Sequence, residues 1–315
     1  MNSPLISNFT SQACRFFCMV WAVCILYSCG GKPSDTNEPM AEADTSLLPP
    51  GKSLSKVSVE ALDDMLQSIP PPVEMAALLK ESGAEYNRAL LNPPENIEIY
   101  NTSLKKALNL GIYGADLGYI NIYEKTNSAL SYLNCLKRLA DDLKVGQFLD
   151  YNTLKRLATN SHDVDSLLNL TTSSLNDIDA YLREQKRGSL SALMITGAWV
   201  ECLHISCQVI KEKPIREIEE TIGEQKPILE NLILILSLYK SDPYFANILS
   251  HFELLKTEFN KVKITYEYRP PVSKEINGQL VVEDNSSSTV HITEEMLKKI
   301  TDAIERTRDK MVEFI

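Results

Sequence analysis

From residue 57 onward, apolar side chains recur mostly at three- and four-residue intervals, the spacing of one helix face, and the elements predicted are almost all α-helices. A short helix over Val57 to Gln67 is stopped by Pro70-Pro71-Pro72, and a second, over Val73 to Asn87, ends ahead of Pro93-Pro94. Asn96 to Leu143 is long and periodic; it predicts two helices divided near Gly111 to Gly118. A turn at Gly146 leads to a short helix over Tyr151 to Thr159. Asn160 or Ser161 is placed to cap a helix reaching about Gln185, with Asp163 and Asp165 at its positive dipole end and Val164, Leu167, Leu168, Leu175, Ile178 and Leu182 turned inward. Ser189 or Ser191 opens the next, to about Lys211. Asp242-Pro243 is a helix start, and Tyr244, Phe245, Ile248, Leu249, Phe252, Leu255, Phe259 and Val262 after it share one face.

Near Lys263 the period changes to two. Lys263 to Tyr268 alternates like a strand, Arg269-Pro270-Pro271 interrupts it, and Asn277-Gly278 is a turn signal, so the pattern allows a small β element. A last amphipathic helix, capped by Thr293, carries Met296, Leu297, Ile300, Ile304 and Met311 on one face. The fold class is therefore all-α: a multi-helix bundle with room for a small β element and a final amphipathic helix at the C-terminus.

The first residues follow another rule. Arg15 is the only charge in residues 1–28, and twelve apolar residues follow it, Phe16 to Tyr27. Roughly 20 helical residues are needed to cross a hydrocarbon core, so the run has the length of a signal-peptide core. It ends in Leu26-Tyr27-Ser28-Cys29-Gly30, which resembles the lipobox of bacterial lipoproteins. The resemblance implies that Cys29 is acylated and becomes the first residue of the mature chain. It also implies a protein lipid-anchored to a bacterial outer membrane, periplasmic or surface-facing. An uncleaved anchor, or a secretory signal with an incidental cysteine, are the alternatives. Gly30 to Lys56 is rich in Pro, Ser, Asp and Glu, a composition that cannot build a core. The organisation expected is a signal peptide over 1–28, an acidic flexible tether over 29–56, a helical bundle over 57–265, and the β element with the C-terminal helix over 266–315. The mature part resembles the helical outer-membrane lipoproteins that have no assigned activity.

Charge narrows the partners. The chain carries a formal −10, which becomes −11 once Arg15 leaves with the signal segment. That balance argues against nucleic acid and against adhesion to anionic lipid, leaving membrane attachment to the lipid anchor. Cys135, Cys202 and Cys207 form no CxxC or CxxH pattern, so neither a zinc site nor a redox motif is supported, and no metal or cofactor is implied.

Two stripes stand out. On a helix, Gly111, Gly114 and Gly118 align, and each costs up to about 1 kcal/mol relative to alanine; such a row suits close approach of a backbone or a ligand. Tyr113, Asp116, Ile120 and Tyr123 lie on the opposite side. This is either a pocket floored by glycine and edged by tyrosine and aspartate, or a tight helix crossing with Asp116 satisfied by a tyrosine hydroxyl. The second stripe is Gly197, Glu201, His204 and Gln208, on a helix that is otherwise apolar nearly all round. A buried carboxylate and imidazole cost several kcal/mol unless paired. Either Glu201 holds His204 internally, or the pair contacts a ligand. Glu-x-x-His is also the ligand spacing of ferritin-like di-metal bundles, but those need two such motifs, and His162, His251 and His291 follow Thr159, Ile248 and Ser288 instead.

No catalytic residues emerge. The candidate binding residues are Tyr113, Gly114, Asp116, Tyr123, Glu201 and His204. The function expected is that of a membrane-tethered, non-enzymatic helical envelope protein that binds a partner protein or a small ligand. A metal- or cofactor-dependent protein using Glu201 and His204, and a purely structural envelope component, are the alternatives.

Overall fold

Four helix ends in this chain are built alike, and they set the bundle's connections. After α1 (Pro72–Glu81), α2 (Ser103–Ile122), α3 (Thr126–Asp142) and α5 (Val164–Glu184), one residue enters the left-handed region: Gly83, Glu124, Lys144 and Lys186, with φ of 75°, 57°, 61° and 56°. At α2 the Lys125 N–H donates to Ile120 O and the Glu124 N–H to Asn121 O, the paired bonds that satisfy a helix's last carbonyls; Val145 and Lys144, and Arg187 and Lys186, repeat them. The computed structural model describes residues 72–159, 164–267, 272–276, 279–283 and 287–313. Cys29, the tether and the helix expected over Val57 to Gln67 lie outside them, as do the expected cap at Asn160 or Ser161 and the turn residues Asn277 and Gly278.

The fold is all-α, with ten helices among the described residues. The remaining six are α4 (Tyr151–Ala158), α6 (Gly188–Glu212), α7 (Arg216–Gly223), α8 (Lys226–Ser237), α9 (Pro243–Phe259) and α10 (Glu294–Glu313). The cap at Asp242 forms as expected, accepting from Tyr244 N at 2.8 Å, and so does that at Thr293, accepting from Met296 N at 3.3 Å. Short 3-10 turns at Arg88–Leu90 and Pro94–Ile99 lead from α1 to α2.

α2 and α6 pack on each other at the centre, with α1, α3, α5 and α10 against one or both of them. Every residue from Ala107 to Asn121 is buried, whichever way its side chain points. This overturns the expected division near Gly111 to Gly118: α2 runs through all three glycines and stops only at Tyr123. Burial on every side outweighs their weak helix propensity, and tertiary packing routinely wins that contest. α6 is long and apolar enough to cross a membrane, yet most of its apolar window is inside the bundle.

The β residues form two two-stranded antiparallel ribbons. β1 (Lys263–Glu267) pairs with β4 (Ser287–His291), Lys263 opposite His291, and β2 (Val272–Ile276) pairs with β3 (Gln279–Glu283), Ile276 opposite Gln279. At the base of the outer ribbon Val290 packs on Gly223 of α7.

Candidate functional site

The centre of the bundle is where the conspicuous polar residues converge, and backbone contact puts them there. A Cβ placed on Gly111 would fall well under 3.0 Å from the Met194 carbonyl oxygen, and one on Gly197 would do the same to Leu108 O. The two glycines therefore let α2 and α6 touch backbone to backbone. Gly114 faces the side chain of Leu175 on α5, and Gly118, though buried, has nothing within 4 Å of the Cβ position.

On the other side of α2 the side chains clamp the segment that leads from α1. Tyr113 Oη donates to Pro93 O at 2.9 Å and Tyr123 Oη to Ala84 O at 2.9 Å. Tyr119 Oη accepts from Asn87 N at 3.1 Å, and its ring lies 5.3 Å from Tyr86 and 4.8 Å from Tyr123. Fully buried Asn92 is the hub of this clamp. Its amide donates to Tyr100 Oη at 3.0 Å and to Asn109 Oδ1 at 3.4 Å, and its backbone N–H donates to Asp116 Oδ2 at 3.2 Å. The tyrosines and Asp116 thus hold a chain crossing, and the partner of Asp116 Oδ2 is a backbone amide, not the tyrosine hydroxyl expected.

The second stripe is also settled by a partner from far along the chain. Glu201 is fully buried, and both of its oxygens accept from Arg308 of α10: Nε to Oε2 at 2.9 Å and Nη2 to Oε1 at 2.9 Å. The expected Glu201–His204 pair is replaced by this fork, because a guanidinium offers two parallel donors that an imidazole cannot. Arg308 Nη2 also donates to Leu90 O at 3.4 Å, and Tyr100 Oη donates to Val312 O at 3.2 Å. α10 is thereby tied both to α6 and to the clamped segment. Lys211–Glu305, at 2.6 Å, closes the exposed end of the α6–α10 seam.

Burial dominates the electrostatics. The Asp116 carboxyl is held well above its usual range, first by burial and then by the Glu201 charge, with Arg308 opposing. Burial pushes His204 down to about 4 despite Glu201, and among the described residues its Nδ1 has no hydrogen-bond partner. Burial also raises Tyr100 to about 12 and carries Tyr113 higher still. The seam thus holds its imidazole and phenols in their neutral forms at neutral pH.

No family model matches this chain, and comparison with curated proteins and with solved structures finds no match either.

Among the described residues no group of three His, Cys, Asp or Glu side chains is placed to hold a metal ion. Of the six candidates, Asp116 and Glu201 come together, Tyr113 and Tyr123 brace the incoming segment, Gly114 packs on Leu175, and His204 stands one turn along α6 from Glu201. Arg308, Asn92 and Tyr100 belong to the same network and were not singled out from sequence. Arg308 had a visible signal: it falls four residues after Ile304 and three before Met311, a charge on the apolar stripe of the last helix.

Proposed function

We propose that this chain is a lipid-anchored helical protein of a bacterial envelope, held through Cys29 to the outer membrane and acting by association with a partner protein rather than by catalysis. The observation that carries the reading is the commitment of Glu201. Glu201 has no exposure and both of its oxygens accept from Arg308, so the carboxylate that a metal- or cofactor-dependent protein would need is engaged within the chain. Small-ligand binding at the first stripe loses support for the same reason, since Tyr113, Asp116 and Tyr123 are engaged with the chain's own backbone. What is left for a partner is the outer surface of a chain whose formal net charge beyond residue 28 is −11.

The test is to express the full chain in a bacterial host fed an alkyne-bearing fatty acid, beside Cys29→Ser. The wild type should take up the label and fractionate with membranes, and C29S should lose both. An unlabelled wild type in the soluble fraction overturns the anchor. Cross-linking in cells then reads the association: discrete cross-linked species on wild type support it, and none at any surface position overturns it in favour of a purely structural role.

A further inference from the structure

Three ionisable side chains of opposite sign are sealed together in the core, and their charges do not balance. Asp116 and Glu201 show no exposure and Arg308 is 9% exposed. Arg308 gives its fork to Glu201, so one negative charge is matched. The Asp116 carboxyl stands at the same place, since the Asn92 N–H it accepts from is two residues along from the Leu90 carbonyl that Arg308 holds, and the Glu201 charge acts on it beside burial. Its Oδ2 accepts from Asn92 N, while its Oδ1 meets no donor among the described residues. Two carboxyl groups form a hydrogen bond with each other only with a proton between them; ionised, these two would leave one uncompensated charge in a medium of low dielectric.

We infer that the core of this protein contains a proton-binding site, in which Asp116 stays protonated and donates to the Glu201 carboxylate while Arg308 holds that carboxylate from the other side. The cluster is then neutral, one positive and one negative charge with one uncharged acid. Of the other titratable groups around it, Asp309, 3.9 Å from Arg308 Nη1, has a half-exposed side chain that water solvates at the rim, and His204 on α6 is pushed down by burial and stays neutral. Tyr86 ahead of α2, Tyr113 on α2, Tyr132 and Cys135 on α3 and Cys202 on α6 are all raised by burial and stay neutral. The proton is structural: it lets α2, α6 and α10 meet at one point, with the Leu90–Asn92 strand of chain laid across them. This inference is independent of the lipid anchor and stands or falls without it.

The two carboxyls are therefore not interchangeable, which gives the test. In Asp116→Asn a permanent neutral donor replaces the protonated acid, and the fork on Glu201 survives. In Glu201→Gln the fork is broken and Arg308 is stranded. Unfolding equilibria of the full chain are measured across pH 5 to 9 for wild type and both variants. A carboxyl protonated when folded and ionised when unfolded weakens the fold as pH rises from about 4 toward its folded ionisation, by about tenfold in the folding equilibrium constant per pH unit. The folded-to-unfolded ratio of wild type relative to D116N should fall at that rate, and E201Q should be the less stable variant throughout. A ratio that does not change with pH, or E201Q tolerated while D116N unfolds, overturns the assignment. Should D116N fail to fold, wild type carrying carbon-13 at its aspartate carboxyls decides. One resonance at the protonated-acid position at pH 7 supports the site, and none overturns it.

Discussion

Replacing each of the glycines of α2 by alanine makes one chemical change at three places in one helix, so the intrinsic gain in helix propensity, about 1 kcal/mol each, cancels from their comparison. What differs is the space. At Gly118 nothing lies within 4 Å of the new methyl, and its burial adds up to about 0.8 kcal/mol to the propensity term; Gly118→Ala should raise the thermal midpoint, at roughly 2–4 °C per kcal/mol for a domain of this size. At Gly111 the methyl would overlap the Met194 carbonyl and approach Ala198 N at 2.8 Å. Both atoms are backbone, so only a shift of α6 relieves the clash, and overpacking of that kind costs about 1–3 kcal/mol or more. Gly111→Ala should lower the midpoint despite the propensity gain, and Gly197→Ala should do so too against Leu108 O. Gly114 meets only Leu175 Cδ1, at 2.9 Å, the far end of a flexible side chain, so its variant should fall between the others. Melting followed by far-UV circular dichroism ranks the variants. If Gly111→Ala and Gly118→Ala shift the midpoint alike, in either direction, α2 and α6 are not in backbone contact.

Two further outcomes follow from burial. His204 is pushed down to about 4 by burial, against the pull of Glu201 and Glu305 and with Arg308 and Lys211 opposing its charge; the unfolded chain therefore binds the proton first. Stability supplied by the neutral ring is present above about 6.5 and is lost as pH falls toward 4, at no more than about 1.4 kcal/mol per unit. His204→Gln should flatten that acid limb relative to wild type in denaturant titrations, and an unchanged limb refutes it. Burial raises the thiols of Cys135 and Cys207 to about 12. Alkylation of the native protein at pH 8 should leave both unmodified by peptide mass spectrometry until denaturant is added; rapid native labelling of Cys207 would place it outside the core.

The helices were legible where periodicity and caps agreed, and lost where a stop signal was carried by the wrong residue. Asp242 and Thr293 cap the helices they were expected to cap, because a side-chain acceptor before an apolar face is a local cue. The end of α2 was misplaced for a local reason as well. Glycine usually marks the left-handed residue after a helix, but here Glu124 occupies that position, while the glycines that drew attention lie inside the helix against other elements. The site followed a different rule. Glu201 was visible as a misplaced charge on an apolar helix, but its partner is 107 residues away, beyond any window of periodicity. A non-local pair of this kind still leaves a trace in each half. Arg308 interrupts the apolar stripe of α10 as Glu201 interrupts that of α6, and Asp116 is a third charge on the buried α2. Charges on core-facing stripes need opposite partners inside one fold, so the three positions constrain one another before any coordinate is known. Two acids and one base cannot cancel, and the imbalance itself requires that one acid enter the core with its proton.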